Sequence, residues 1–106
     1  MHKYRLQEMI GGWFVGDFQP TVERTDQMEV AVKYYRSGDS EASHHHRIAR
    51  ELTVIAQGRV RMSGQEYLAG DIVVIEPGES TDFVAVEDTI TVVVKRPSVR
   101  GDKYVD

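Results

Sequence analysis

The chain has 106 residues, a formal net charge of −4 and no cysteine. This length suits one domain with one core over residues 1–106, and 41% hydrophobic with 28% charged residues excludes a disordered or fibrous chain. The negative charge disfavours a nucleic-acid partner, and the lack of cysteine excludes disulfides, thiolate metal sites and a cysteine nucleophile.

The apolar runs are too short for a membrane segment. The longest aliphatic run covers residues 72–75, whereas a spanning helix needs about 20 apolar residues. The first twelve residues carry positive charge but lack the apolar stretch of a secretory signal. We therefore expect a cytoplasmic protein that has no membrane partner.

Residues 1–27 are predicted to form an N-terminal extension with an edge strand. Aromatic residues alternate with flexible glycines over residues 11–18. This segment is an extra strand or dimer contact that covers one barrel edge, or a flap over a ligand mouth. The packing interpretation is favoured because large aromatic side chains mostly serve packing.

Residues 28–95 are predicted to form the core of a small antiparallel β-barrel or jelly roll. Valine outnumbers leucine by 15 to 3, and β-branched residues favour strands. Turn residues separate short strand-like segments, a pattern typical of all-β barrels and sandwiches; the segments are 28–35, 44–46, 52–56, 60–62, 72–75, 83–86 and 89–95. Ser63-Gly64 is the expected turn of a tight hairpin, and 96–106 is expected to be a polar C-terminal tail along the surface.

Three consecutive histidines, at positions 44–46, are the main candidates for metal ligands. In an extended strand His44 and His46 share one face, with Cα atoms about 6.5 Å apart, and His45 points the opposite way. Two imidazoles on one face can chelate a divalent ion. The pair alone is weak evidence, because exposed histidines are common in loops.

The residues around the histidines match a longer pattern. Gly38, His44, His46, Glu51 and Gly58 fit Gly-x5-His-x-His-x4-Glu-x6-Gly without a gap, which is the first motif of the cupin superfamily. A second block over residues 70–81 resembles the second cupin motif, with Glu76 at the expected proline and Thr81 at the expected final histidine. The sequence thus resembles a small single-domain cupin over about residues 28–95.

The resemblance implies a jelly-roll barrel, often dimeric, with a metal ion inside. His44, His46 and Glu51 would be the ligands of one divalent transition metal per chain, for which Fe, Mn, Ni and Zn all suit two nitrogens and a carboxylate. Because threonine is a poor metal ligand, Thr81 is a weak candidate, and Asp82 would need a bulge to reach the same face. Three alternatives stay open: a three-ligand site with water, a site completed by Asp82 or by Glu79, and a barrel that has lost its metal.

The implied function is that of a metal-dependent enzyme acting on a small polar substrate, a sugar derivative or a small organic acid. Isomerase or epimerase, dioxygenase and decarboxylase activities all occur among cupins; the alternative is a non-catalytic module that binds a small ligand or a metal. Tyr34 is a weak catalytic candidate, although it shares a face with Val30 and Val32 and core packing is the preferred interpretation. Lys33 is interpreted as a surface charge. A homodimer is expected, with its contact in the aromatic segment (Trp13, Phe14 and Phe18).

Overall fold

Strands account for nearly all regular structure in the computed structural model, which covers residues 1–106. About 51% of the residues lie in strands and 6% in helices, and the two helices are single 3-10 turns at Leu6–Glu8 and Ile10–Gly12. The strands are β1 (Trp13–Gly16), β2 (Glu23–Arg24), β3 (Glu29–Tyr35), β4 (Ser40–His45), β5 (Arg50–Gln57), β6 (Arg59–Met62), β7 (Gln65–Leu68), β8 (Ile72–Ile75), β9 (Thr81–Ala85), β10 (Thr89–Arg96) and β11 (Tyr104–Val105). The predicted all-β fold is confirmed.

The strands form two sheets. One has six strands in the order β2-β1-β3-β10-β5-β8, and the other has five in the order β11-β4-β9-β6-β7. Every pair is antiparallel except β1 with β2. This arrangement agrees with the predicted jelly roll. No helix in the structure has the length and apolar character needed to cross a membrane.

The apolar core lies between the two sheets. It is built from β5, β6 and β9 by Ile55, Val60, Met62, Phe83 and Ala85, each at most 5% exposed. Met62 and Phe83 also line a cavity in the interior, so the core forms part of the cavity wall.

The predicted hairpin is present between β6 and β7, where Met62 pairs with Gln65. Ser63 and Gly64 both have positive φ, 48° and 77°. A two-residue turn with positive φ at both positions is the type I′ turn that antiparallel hairpins favour.

The aromatic segment forms β1, which pairs with β3 and extends the six-stranded sheet. Gly12 precedes it with φ 81°, and a Cβ there would lie 2.0 Å from the Val32 carbonyl oxygen, so the close approach needs glycine. Trp13 and Phe18 line the interior cavity. The aromatic segment therefore extends the sheet, with β2 outside it as the edge strand, and also covers one side of the cavity.

The C-terminal segment is built into the fold. β11 pairs with β4 through Tyr104 opposite His45, and Ser98 and Asp102 are 8% and 6% exposed. The expectation of a polar tail along the surface is wrong for these residues, because the Ser98 hydroxyl bonds to the Asp17 amide and the Glu29 carboxylate, and Asp102 accepts hydrogen bonds from the amides of residues 47–49.

The two faces of β3 are the reverse of those expected. Ala31 is fully buried, and Lys33 and Tyr35 line the cavity. Tyr34 is 68% exposed, so the expectation that it packs in the core or reaches the cavity is wrong. The hydrophobic alternation misassigns this strand because its inner face borders a polar cavity.

Candidate functional site

A cavity of about 320 Å³ lies between the two sheets and beneath the N-terminal segment. Its ionisable lining comes from strands of both sheets, from the residue that follows β4 and from the residue that precedes β11: Glu29, Lys33, Tyr35, Glu41, His44, His46, Glu51, Asp82, Lys95 and Lys103. The structure thus brings the three predicted metal ligands to one cavity.

His44 and His46 face the cavity together, as their spacing predicts. Their ring centres are 5.4 Å apart and the rings meet edge to face at 79°. The Nδ1 of His44 lies 3.1 Å from the Ala42 carbonyl oxygen. The buried Nε2 of His46 has no hydrogen-bond partner. Burial, and next the charge of Lys95, lower the pKa of His46 below its usual value, which favours the neutral imidazole that can donate a lone pair.

His45 points away from the cavity, as predicted. Its Nδ1 lies 2.7 Å from an Asp106 carboxylate oxygen, and its ring stacks on Tyr104. The hydroxyl of Ser43, that of Ser80 and the His45 ring lower the pKa of Asp106 to about 2. His45 therefore joins β4 to the C-terminal segment and is not a ligand candidate.

Glu51 lines the cavity from β5 but is held by its own strand. The Thr53 hydroxyl donates a 2.7 Å hydrogen bond to its Oε2. Glu51 stands opposite Lys95 on β10, whose ammonium forms a 3.2 Å ion pair with Glu29. The carboxylate is thus in the right cavity but already has a donor.

The side chains of Thr81 and Asp82 already form hydrogen bonds with nearby backbone groups. Thr81 stands opposite His44 in the β4–β9 register, and its hydroxyl donates to the Asp82 carbonyl oxygen at 2.8 Å. The Asp82 carboxylate accepts a 2.8 Å hydrogen bond from the Ser63 amide. Both residues border the cavity, but Asp82 anchors the β6–β7 turn.

Lys33 places a partly buried ammonium in the cavity, so the interpretation as a surface charge is wrong. Its Nζ lies 5.2 Å from the centre of the Trp13 ring, and Lys95 Nζ lies 4.9 Å from the same ring. Lys95 is paired with Glu29, whereas Lys33 has no carboxylate within ion-pair distance. Burial lowers the pKa of Lys33, as expected for an ammonium that has lost water without gaining an anion.

Tyr35 lines the cavity, whereas Tyr34, the weak catalytic candidate of the sequence analysis, does not. The Tyr35 hydroxyl donates to Glu41 at 3.4 Å, and its ring packs against Phe83. Burial is the main cause, and the Glu41 charge the next, of a pKa raised well above the usual tyrosine value. The phenol therefore stays protonated at neutral pH.

Asp102 holds the loop between His46 and Glu51 in place. Its carboxylate accepts hydrogen bonds of 2.9 to 3.2 Å from the amides of Arg47, Ile48 and Ala49. Burial opposes ionisation, but these three amides outweigh it and hold the pKa of Asp102 below its usual value. His46 precedes this loop and Glu51 follows it, so Asp102 helps to set their separation.

The donor set fits a divalent ion in part. Two imidazoles on one ion, each with a metal–nitrogen bond of about 2.1 Å, have ring centres no more than about 6.5 Å apart, and His44 and His46 satisfy this limit. No group of three histidine, aspartate or glutamate side chains is arranged to hold a metal ion. The unpartnered His46 Nε2 is therefore the strongest local indication of a ligand site, and Glu51 is the donor that would have to move.

Sequence reasoning identified the two histidines and missed Tyr35, Lys95 and Asp102. Tyr35 and Lys95 lie on the inner faces of β3 and β10, next to small or polar residues. Assigning the odd-numbered residues of β3 to the inner face would have identified Tyr35. Asp102 carries no local pattern, because its partners lie 53 to 55 positions earlier in the chain.

No family model and no curated protein matches the sequence. Among solved structures, the chain is similar to a conserved protein with a double-stranded β-helix domain from Klebsiella pneumoniae, with TM-score 0.73, 22% identity and coverage of 98% of this chain and 90% of that one. An RmlC-like cupin from Shewanella frigidimarina has TM-score 0.64, 20% identity and coverage of 74% and 72%.

A DMSP lyase from Ruegeria pomeroyi has TM-score 0.72 and 18% identity over 88% of this chain, which spans only 49% of the lyase. Likeness at these identities concerns the fold alone. The chain therefore shares the fold of double-stranded β-helix and RmlC-like cupin proteins.

Proposed function

We propose that this protein binds one divalent transition metal, Fe, Mn, Ni or Zn, in its cavity and acts as an enzyme on a small polar substrate. The observation that carries the proposal is the pair of imidazoles of His44 and His46, which face one cavity and leave a buried Nε2 unpartnered. Such a nitrogen is costly unless a donor or a cation satisfies it.

His44 and His46 would hold the ion, and Glu51 would join them after exchanging its hydrogen bond from Thr53 for the metal. A bound ion of this kind supplies Lewis-acid chemistry, polarising a carbonyl or hydroxyl group or activating water. The remaining roles fall to the side chains that already line the cavity.

Lys33 favours an organic acid over a neutral sugar derivative. Its ammonium is partly buried and has no protein carboxylate in ion-pair distance, so a carboxylate on the substrate would complete the pair. Trp13 covers the same subsite and would shield the pair from water, which strengthens it.

Tyr35 would donate a hydrogen bond to the substrate rather than remove a proton. Its raised pKa keeps the hydroxyl protonated, and the hydroxyl would exchange its 3.4 Å hydrogen bond to Glu41 for one to the substrate. A general base must have a pKa near the working pH, which Tyr35 does not.

Calorimetric titration of the purified protein with Zn²⁺ and then with Mn²⁺, Ni²⁺ and Fe²⁺ tests the metal site. We expect one ion per chain in wild type, loss of stoichiometric binding in His44→Ala and in His46→Ala, and near-normal binding in His45→Ala, since His45 faces away. Equal loss in His45→Ala, or no binding of any of the four metals by wild type, would contradict the proposal.

Thermal stabilisation by small carboxylic acids tests the substrate class. A ligand that binds only the folded state raises the unfolding temperature, so carboxylates should stabilise wild type more than neutral sugars do. Lys33→Met should lose this effect, and Lys3→Met, an exposed lysine outside the cavity, should keep it. Equal stabilisation of both variants would refute the role of Lys33.

A non-catalytic binding module is the second candidate, favoured by the lack of a preformed three-ligand group. Such a module would bind the carboxylate at Lys33 without a metal. Carboxylate stabilisation that persists unchanged in His44→Ala and after chelator treatment would select it.

A further inference from the structure

The outer face of the six-stranded sheet is apolar, although its other face already borders the core and the cavity. Residues alternate along the strands between buried inner positions, such as Ala31, Thr53, Ile55, Thr91 and Val93, and more exposed outer positions. The strand registers join the outer residues into cross-strand rows. One row is Val30, Val94, Leu52 and Val74, and the next is Val32, Val92, Val54 and Ile72.

An antiparallel sheet whose outer face meets water carries polar residues there. Here both rows are wholly aliphatic across β3, β10, β5 and β8, and the adjacent row continues with Tyr34 opposite Ile90. Charge appears only beyond the rows, where Arg50 forms a 2.6 Å ion pair with Glu76. An apolar centre with a polar rim is the composition of a protein–protein contact.

The exposure and size of this face, hereafter the outer valine face, fit an interface. Ile72 is 63% exposed, Tyr34 68% and Val74 42%. The ten residues of these rows, on strands about 4.8 Å apart and spaced about 6.8 Å along each strand, project about 330 Å². Two such faces project about 650 Å², and the protruding side chains raise the accessible area toward the about 1,000 Å² total of a specific interface.

We propose that the outer valine face is the contact between two copies of this chain, packed sheet on sheet. The centre carries no charge, so it offers nothing to recognise a charged partner, whereas a two-fold axis would pair each aliphatic row with its own copy. The rim contains both signs, which lets two chains of net charge −4 meet without like charges at the centre. The predicted homodimer would thus use this face in place of the Trp13 and Phe18 rings.

The proposed dimer interface and the cavity lie on opposite faces of the same strands. Val92 lies between Thr91 and Val93, both of which line the cavity, while its own side chain points outward. The proposal therefore does not depend on the metal or the substrate, and failure of one would not imply failure of the other.

Sedimentation equilibrium at micromolar concentration tests the proposal with Val92→Lys, which places a charge at the centre of the face. Wild type should sediment at twice the chain mass of 12.0 kDa, and the variant should dissociate at least about 100-fold more readily, as expected for a central contact. Leu68→Lys, an apolar-to-lysine change at a position 47% exposed on β7 of the other sheet, should remain dimeric.

Ile72→Lys separates loss of the dimer from a folding defect. Its side chain is 63% exposed in the single chain, so lysine can replace it without disturbing the core. It should give monomers with the circular dichroism of wild type. A monomeric wild type, or Val92→Lys and Ile72→Lys variants that both stay dimeric, would overturn the proposal.

Discussion

Removing the Asp102 carboxylate should destabilise the fold and loosen the loop between the proposed metal ligands His46 and Glu51. Asp102→Ala leaves the amides of Arg47, Ile48 and Ala49 without their acceptor. Because these residues connect β4 to β5, the change acts on the segment between His46 and Glu51. We expect lower stability and weaker metal binding, although Asp102 lies on neither strand of the motif.

The magnitude follows from the exposure of the three amides. The hydrogen bond to Ala49 is buried, and an unsatisfied buried donor costs about 1–3 kcal/mol. Arg47 and Ile48 are exposed residues, so water can replace part of their bonds at about 0.5 kcal/mol each. The sum is a loss of about 2–4 kcal/mol in the free energy of unfolding, or at least about 8 °C in Tm for a domain of this size.

The effect should depend on pH in one direction. The folded-state pKa of Asp102 is depressed, so its contribution is fully present above the unfolded value of about 3.9 and is lost as pH falls through the folded pKa. The difference in stability between wild type and Asp102→Asn should therefore be constant near neutrality and shrink below about pH 4.

Urea unfolding at several pH values, followed by circular dichroism, measures both effects. Asp26→Ala is the control, because Asp26 is exposed and surface changes of this kind alter stability by no more than about 0.5 kcal/mol. If Asp102→Ala unfolds at the same urea concentration as Asp26→Ala, the reasoning about the three amides is wrong.

Further predictions concern the cavity, the N-terminal segment and the core. Titration of phenolate absorbance should reveal a tyrosine that ionises at unusually high pH, and the Tyr35→Phe variant should lack it; an unchanged titration would place the shift elsewhere. Gly12→Ala should destabilise the protein by at least about 2 kcal/mol more than Gly38→Ala, since both have positive φ but only Gly12 approaches backbone; equal unfolding midpoints would contradict this. Ile55→Ala, at a position fully buried in the core, should cost about 2–5 kcal/mol in chemical unfolding, and a loss below 1 kcal/mol would argue against the packing described.

Local patterns were sufficient to predict the fold class, the hairpin and the placement of the histidines. The type I′ turn at Ser63-Gly64 depends only on neighbouring residues, and the shared face of His44 and His46 depends only on strand periodicity. The motif spacing also brought Glu51 to the same cavity.

The predictions failed where the hydrophobicity of a residue was used to decide whether its side chain points into the barrel. In β3 the more apolar alternate residues, Val30 and Val32, lie outside, and Lys33 and Tyr35 lie inside, because the interior holds a polar cavity. The rule that apolar residues point inward therefore selected Tyr34 over Tyr35. The burial of Asp102 was also unpredictable, since it depends on contacts between distant parts of the chain.

The hydrogen bonds that Asp102 accepts from the loop at residues 47–49 have a consequence for the order in which the protein folds. Synthesis proceeds from the N-terminus, so residues 47–49 are added more than fifty positions before the carboxylate that holds their amides. Until Asp102 arrives, the loop between His46 and Glu51 has no acceptor for three backbone donors. The loop between His46 and Glu51 is therefore fixed only once the C-terminal segment is in place, and a metal ion that meets the chain earlier would encounter these two residues on either side of a loop that can still adjust.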